Sequence, residues 1–194
     1  MRRTYYNAGN LRSRKHIFIQ KTVLKPETCG PCGRRIKFGK VCLKCRDCKA
    51  TTHQECKDQV PLPCVALAAG RTPTRGGAGG SIADYTPLAA PMVPALVVHC
   101  VNEVETRGLG EVGLYRVPGS EREVKELKEK FMKGKGCPSL GKYDIHVICG
   151  CIKDFLRGLK EPIIPHSMWN MFTNAATNPD INDGMSSLYQ VVAI

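Results

Sequence analysis

The sequence lacks the long apolar runs that mark exported and membrane-spanning proteins. Its longest apolar stretch, near residues 93–101, is interrupted by Pro94 and His99, and a transmembrane helix needs roughly 18–20 apolar residues. The N-terminal residues are basic, but no apolar segment follows them as one would in a secretory signal. We therefore expect an intracellular protein that stays in a reducing compartment.

Acidic residues are also scarce, and the imbalance is confined to one part of the chain. The 194 residues contain 29 Lys and Arg against 17 Asp and Glu, for a net charge of +12. Residues 1–64 hold 15 basic and 4 acidic side chains, whereas residues 65–194 hold 14 and 13. Such an asymmetry indicates that the first part faces an anionic partner, either a membrane surface or a nucleic acid.

Cysteine is abundant and unevenly placed. There are eleven cysteines, an odd number, and seven of them lie between residues 29 and 64. Clustered cysteines in a reducing compartment indicate metal binding rather than disulfides. A glycine-rich stretch follows and reads as a tether. We predict a basic tail at 1–15, a metal-binding module at 16–64, a linker at 65–82 and a helical domain at 83–194.

The metal-capable residues of this module have regular spacing. Two Cys-x-x-Cys pairs each allow two thiolates to reach one ion, and zinc is the usual occupant of such sites. Six cysteines and two histidines suffice for two tetrahedral sites: His16, Cys29, Cys32, Cys45, Cys48, His53, Cys56 and Cys64. Cys42 forms a rival pair with Cys45, but the spacing to His53 and Cys56 favours Cys45 with Cys48. We expect Cys42 to be a loop thiol.

The order and spacing of these eight residues resemble those of the phorbol-ester/diacylglycerol-type zinc finger, a small β-rich fold. The resemblance implies two Zn²⁺ ions in interleaved sites. The first site would use His16, Cys45, Cys48 and Cys64. The second would use Cys29, Cys32, His53 and Cys56. Because protein atoms would fill both coordination spheres, a metalloenzyme is not expected.

The lipid-binding features of that family are altered here. The family's groove between two loops is supported by a Gln-Gly pair, where this sequence has Val41 and Cys42. The tip also carries Arg34, Arg35 and Lys37. We therefore expect adsorption to anionic inner-leaflet lipids rather than insertion; the alternatives are a protein contact and a solvated basic face.

Nucleic-acid binding is not expected. The ligand spacing differs from that of the two-Cys-two-His finger, which presents a recognition helix. The aromatic residues Phe18 and Phe38 are expected in the small core of the module rather than on a base-stacking surface.

From Asp84 onward the apolar spacing predicts an all-α fold. Val97, Val101 and Val104 recur at helical spacing before Gly108. Ser120-x-x-Glu123 predicts a capping box at the start of a second helix. Asp144 is expected to cap a third helix. Further helices are predicted around Trp169 and Phe172, and from about Asp183 onward.

Two segments of this helical part suggest its function. One is GLYRVPG at residues 113–119, and the other is KDFLRGLKEP at residues 153–162. Together and in this order they resemble the Rho-family GTPase-activating (RhoGAP) domain. The resemblance implies that Arg116 is an arginine finger supplied to the GTPase, and that Lys153 and Arg157 hold the finger loop and contact the GTPase. Without the resemblance, these residues would read as a loop arginine and a solvated basic face.

The order of the two modules, together with SEREVKELKEKF at residues 120–131, resembles the male-germ-cell, centralspindlin-type family of Rac GTPase-activating proteins. The sequence has no counterpart of that family's kinesin-binding coiled coil, so kinesin binding is not expected. Only 108 residues run from Pro87 to Ile194, so we expect an incomplete RhoGAP domain that lacks the later helices and is marginally stable.

The sequence therefore predicts an activator of Rac- or Cdc42-like GTPases that catalyses no reaction of its own. Its cytoplasmic location would be the inner face of the plasma membrane or the cytoskeleton. The alternative is a non-catalytic module that binds GTPases or anionic lipids.

Overall fold

The computed structural model describes residue 11 and residues 13–68, 80–88 and 92–193. Within these residues, short strands come first and α-helices follow. The strands are β1 (Phe18–Thr22), β2 (Glu27–Thr28), β3 (Arg35–Ile36), β4 (Val41–Cys45) and β5 (Thr51–Thr52). The helices are α1 (Ala95–Arg107), α2 (Glu121–Met132), α3 (Ile145–Arg157), α4 (Trp169–Ala176) and α5 (Ile181–Val192). Short 3₁₀ helices cover Gln54–Gln59, Ile82–Tyr85 and His166–Met168.

The strands form two small antiparallel sheets in the cysteine-rich module. One has the order β1-β4-β5, with Phe18 opposite Cys45 and Leu43 opposite Thr52. The other pairs β2 with β3. Each sheet is too small to bury a large apolar face, so the buried interior consists mainly of cysteines with a few valines and Ile36.

Two expectations for this module are wrong. Cys42 is not a loop thiol, because it lies on β4 with 2% of its surface exposed and packs against Val23 and Ile36. Cys42 and Cys45 lie on opposite faces of β4, and each face is covered by a different buried cluster. Phe38 is not a core residue, because it lies at the tip between β3 and β4 and is 77% exposed. Phe18 does pack against the buried residues and stacks near the ring of His16.

Helix α3 is the centre of the helical part and packs against both α1 and α2. Seven of its thirteen residues are buried: Ile145, Val147, Ile148, Cys149, Cys151, Ile152 and Phe155. Its close approach to α2 depends on Gly150, where a β-carbon would lie 2.8 Å from a methyl group of Val124. Helices α4 and α5 pack against each other.

The helix boundaries follow most of the predicted signals. Ser120 accepts a hydrogen bond from the backbone N–H of Glu123, which is one of the two bonds of the predicted capping box, and Asp144 accepts one from the backbone N–H of His146. Gly108 ends α1. The last helix begins at Ile181 rather than near Asp183, because Asp180 is its N-cap and accepts hydrogen bonds from the backbone N–H groups of Asn182 and Asp183.

Most of the predicted linker at 65–82 and of the tail at 1–15 lies outside the described residues. The boundaries drawn there stay predictions. Among the helices that the structure describes, none combines the length and the apolar character needed to cross a bilayer.

Candidate functional site

The first cluster of metal-capable side chains joins the start of β1 to the end of the module. His16, Cys45, Cys48 and Cys64 bring their ligand atoms within 4.8 Å of one another. The Sγ atoms of Cys45 and Cys64 are 3.7 Å apart, and Sγ of Cys48 lies 3.4 Å from Nδ1 of His16. The other ring nitrogen of His16, Nε2, is 3.1 Å from the carbonyl oxygen of Pro61. This contact orients the ring so that Nδ1 faces the thiols.

The second cluster lies between the β2–β3 sheet and the Gln54–Gln59 turn. Cys29, Cys32, His53 and Cys56 again place their ligand atoms within 4.8 Å of one another. Nδ1 of His53 is 3.5 Å from Sγ of Cys32 and 3.9 Å from Sγ of Cys56. Sγ of Cys29 lies 3.5 Å from the hydroxyl of Thr52.

These distances fit zinc. With Zn–S bonds near 2.3 Å and Zn–N bonds near 2.0 Å, a tetrahedral site has ligand–ligand edges of about 3.5–3.8 Å. Four ligand–ligand distances in the two clusters lie between 3.4 and 3.9 Å, and the others are within 4.8 Å. The three-thiol, one-imidazole donor set is also the one that zinc takes in closed structural sites. The residues present therefore suit two Zn²⁺ ions, grouped as the resemblance implies.

Each cluster contains one thiol that loses its proton readily. A hydrogen bond from Cys48 stabilises the Cys64 thiolate and lowers the pKa of Cys64 to about 4, although burial opposes the shift. Burial also acts to raise the pKa of Cys29, but hydrogen bonds, chiefly from Thr52, outweigh it and lower this pKa to about 6. A hydrogen bond to Cys64, together with burial, raises the pKa of the Cys48 thiol, and burial raises the pKa of Cys56 to about 11. Because metal binding needs deprotonated thiols, an ion would meet one thiolate in each cluster and would displace the protons of Cys48 and Cys56.

In the helical part, Arg116 lies on an exposed turn between α1 and α2. The backbone N–H groups of Arg116 and Val117 both donate to the carbonyl oxygen of Gly113 at 2.9 Å. Gly113 has φ +77° and Tyr115 has φ +59°. A β-carbon at position 113 would also lie 2.7 Å from a methyl group of Val117, so this turn depends on the glycine.

The Arg116 side chain projects from this turn without an internal partner. Among the residues that the structure describes, none forms a hydrogen bond or ion pair with its guanidinium group. An exposed cation on a constrained turn can approach an anionic group of another molecule without first breaking an internal ion pair.

The structure brings Lys153 to the same turn. Its Nζ donates a hydrogen bond to the carbonyl oxygen of Tyr115, 38 residues earlier in the chain. Arg157 is exposed one turn further along α3, and its Nε donates to the carbonyl oxygen of Lys153 at 3.3 Å. Thus Arg116, Lys153 and Arg157 share one surface of the helical part.

Sequence reasoning missed several residues that position these groups. Gly119 ends the finger loop against α3, where its hypothetical β-carbon would lie 2.5–2.7 Å from backbone atoms of His146 and Val147. Asp154 pairs with Lys128 and ties α3 to α2. The glycine in GLYRVPG was a visible signal, but no local pattern pairs Lys128 with a residue 26 positions away.

Comparison with known protein families gives two matches. Residues 94–194 match the RhoGAP domain. Residues 16–66 match the phorbol esters/diacylglycerol binding domain, or C1 domain.

Two curated relatives align with most of the chain, and one solved structure aligns with about half of it. Mouse Rac GTPase-activating protein 1 is 52% identical over 191 residues, which is 98% of this chain and 30% of that protein. Rat N-chimaerin is 28% identical and covers 91% of this chain, which spans 53% of it. The crystal structure of human Rho GTPase activating protein 15 has a TM-score of 0.47 and 33% identity, covering 52% of this chain and 48% of that one. The chain spans less than a third of the length of mouse Rac GTPase-activating protein 1 and about half of that of rat N-chimaerin.

Proposed function

Because the chain belongs to the RhoGAP family, we propose that it accelerates GTP hydrolysis by Rho-family GTPases of the Rac or Cdc42 type. The observation that carries this proposal is the exposed Arg116 on a turn that Lys153 holds from α3. The similarity to mouse Rac GTPase-activating protein 1 supports Rac-like GTPases as partners.

The mechanism is electrostatic stabilisation in trans. Phosphoryl transfer spreads negative charge over the γ-phosphate oxygens, and an arginine supplied by an activator raises the rate roughly 10³- to 10⁵-fold. Arg116 provides this guanidinium, while the attacking water is positioned by the glutamine of the GTPase. The chain thus completes the active site of its partner and acts as an activator rather than as an enzyme.

Lys153 and Arg157 position the finger and contact the GTPase. Lys153 donates a hydrogen bond to the carbonyl oxygen of Tyr115 and so holds the turn, which limits the conformational freedom that Arg116 would lose on binding. Arg157 lies one turn away and is exposed, so it adds positive charge to the surface that meets the GTPase.

The cysteine-rich module binds two structural Zn²⁺ ions. His16, Cys45, Cys48 and Cys64 hold one, and Cys29, Cys32, His53 and Cys56 hold the other, as the ligand distances and donor set favour. The metal replaces the large apolar core that such small sheets cannot build.

This finger places the chain at an anionic surface, chiefly the inner leaflet of the plasma membrane, or at the cytoskeleton within the cytoplasm. Its tip exposes Leu24 and Phe38 beside basic side chains. The backbone of Val23 bonds to Lys40 and Gly39 at 2.9 Å, which ties the two tip loops together. A lipid headgroup would have to break these bonds to enter between the loops, so adsorption is favoured over insertion.

The test is GTP hydrolysis by purified Rac and Cdc42 with the wild-type chain and with Arg116→Ala. We expect the substitution to reduce the stimulated rate by orders of magnitude, because the γ-phosphate charge loses its partner. Binding of the GTPase should change little. Arg116→Lys should recover only part of the rate, because a point charge does not reproduce the guanidinium fork.

The control is Arg46→Ala, which removes an exposed arginine of the zinc finger. This residue lies far in sequence from the turn that carries Arg116. It should stimulate like the wild-type chain. Full stimulation of GTP hydrolysis by Arg116→Ala would show that Arg116 is not the arginine finger. Binding without stimulation by the wild-type chain, under conditions in which the mouse relative stimulates, would favour a non-catalytic binding module.

A further inference from the structure

The zinc finger and the helical part touch through a close contact between two small residues. Gly136 lies in the loop between α2 and α3, and a β-carbon there would be 2.6 Å from Cβ of Ala50 and 2.9 Å from its Cα. Nearby, a β-carbon at Gly134 would be 3.7 Å from Leu67. Ala50 follows the Cys45–Cys48 pair, so the finger meets this loop directly beside its first cluster.

The contact continues along α1. A cavity of about 270 Å³ has finger residues such as Pro61 and Leu62 on one wall and His99, Cys137 and Leu140 on the other. His99 is only 5% exposed, and its ring stacks on Phe131 at 6.4 Å.

On the zinc-finger side, this contact surface is formed by residues around the first cluster. Ala50 is 3% exposed and belongs to the same buried group as Cys45, Cys48, Val60 and Cys64. His16 of this cluster is bonded to Pro61, which lines the cavity. If this cluster lost its metal, the surface that contacts Gly136 and α1 would lose its support, because no large apolar core lies beneath it.

We propose that the finger is a fixed support for the helical part, docked on α1 and on residues 134–141, and that zinc in the first cluster thereby stabilises the helical part. A tethered module that only locates the chain would not need this contact. The inference rests on the zinc binding proposed above.

The docked loop is connected to the GTPase-facing surface through hydrogen bonds and packing. Arg107 of α1 donates to the carbonyl oxygens of Leu140 and Tyr143, the latter at 2.6 Å. The Nζ of Lys130 bonds to the Tyr143 hydroxyl at 2.9 Å. Asp144 then caps α3, on whose first turn Gly119 of the finger loop packs. The zinc finger thus supports the segment that sets the position of α3.

The chain offers a matched pair of variants for the test. Both Gly134 and Gly136 have positive φ, +61° and +87°, so alanine strains the backbone at either position. Only at position 136 does the new methyl group collide with the finger. The difference in chelator effect between Gly136→Ala and Gly134→Ala therefore reports docking, because backbone strain within the loop does not depend on zinc.

The experiment measures thermal unfolding and hydrogen exchange of the helical part, with and without a strong zinc chelator, in the wild-type chain and both variants. In the wild-type chain and Gly134→Ala, we expect chelation to lower the unfolding temperature by several degrees. Exchange should rise in residues 134–143 and in α1, with little change in α5. In Gly136→Ala the chelator should have a much smaller effect on these segments.

Two results would overturn the inference. One is an unfolding temperature and exchange pattern of the wild-type helical part that ignore zinc removal. The other is an equal chelator effect in all three proteins. Metal analysis of the same samples separates the two proposals: bound zinc without coupling rejects the docking role, whereas no bound zinc rejects the metal site itself.

Discussion

At the scale of single residues, His99 shows how burial between the zinc finger and the helical part changes a pKa. It lies on α1 beneath the zinc finger, and burial lowers its pKa to about 4. The unfolded chain has the ordinary histidine value of 6.5. At pH values between these two pKa values, His99 binds a proton in the unfolded state but not in the native state. The stability contribution is therefore full above about pH 6.5 and is lost as the pH falls towards 4.

We predict that His99→Gln flattens this pH dependence, because glutamine keeps a polar side chain but cannot be protonated there. Between pH 6.5 and 5 the wild-type chain should lose stability with an extra slope of up to about 1.4 kcal/mol per pH unit. Denaturant unfolding at several pH values measures it, with zinc content checked at each. Parallel curves for the two proteins would contradict the assignment.

Two other residues show the limit of local patterns. Phe38 was expected inside and is exposed, whereas Cys42 was expected in a loop and is buried on β4. The small finger has room for few large side chains, so its interior is filled by thiols and valines. The aromatic ring of Phe38 therefore stays at the exposed tip.

At the scale of elements, the finger loop is placed by its packing on α3 rather than by its own turn alone. Gly119 lies against backbone atoms of α3, which cannot move aside as a flexible side chain could. The same helix supplies Lys153 to the other end of the loop. One helix therefore holds both ends of the segment that carries Arg116.

We predict that Gly119→Ala destabilises the helical part by on the order of 1–3 kcal/mol, since its methyl group would collide with Val147. It should also reduce stimulation of GTP hydrolysis, because Arg116 is displaced. Chemical denaturation measures the first effect. The control is Gly110→Ala, where a β-carbon has no neighbour within 4 Å; equal effects of the two variants would argue against the packing role.

At the scale of the whole molecule, the chain combines two matched families: a C1 domain at residues 16–66 and a RhoGAP domain at 94–194. This confirms the predicted fold class of a small β-rich finger followed by helices. The roles assigned to Arg116, Lys153, Arg157 and the zinc ligands stay predictions, although the structure brings each group together.

We predict two Zn²⁺ ions per chain, one in each cluster. Structural zinc contributes roughly 10–16 kcal/mol to the folding of small zinc-finger peptides, so a strong chelator should unfold residues 16–64. Elemental analysis of the purified chain gives the stoichiometry, and circular dichroism or hydrogen exchange follows the unfolding. A single ion, or none, would show that at least one cluster is only a group of reduced thiols.

The sequence by itself determined what depends on neighbours along the chain. The Cys-x-x-Cys spacing, the capping residues Ser120 and Asp144, and the apolar period of α1 and α3 each act within a few positions, so they are readable without coordinates. Only the tertiary structure decided which surfaces meet. The bond from Lys153 to Tyr115 and the contact between Ala50 and Gly136 join residues far apart in the chain. Such contacts depend on how whole elements pack, which no local pattern records.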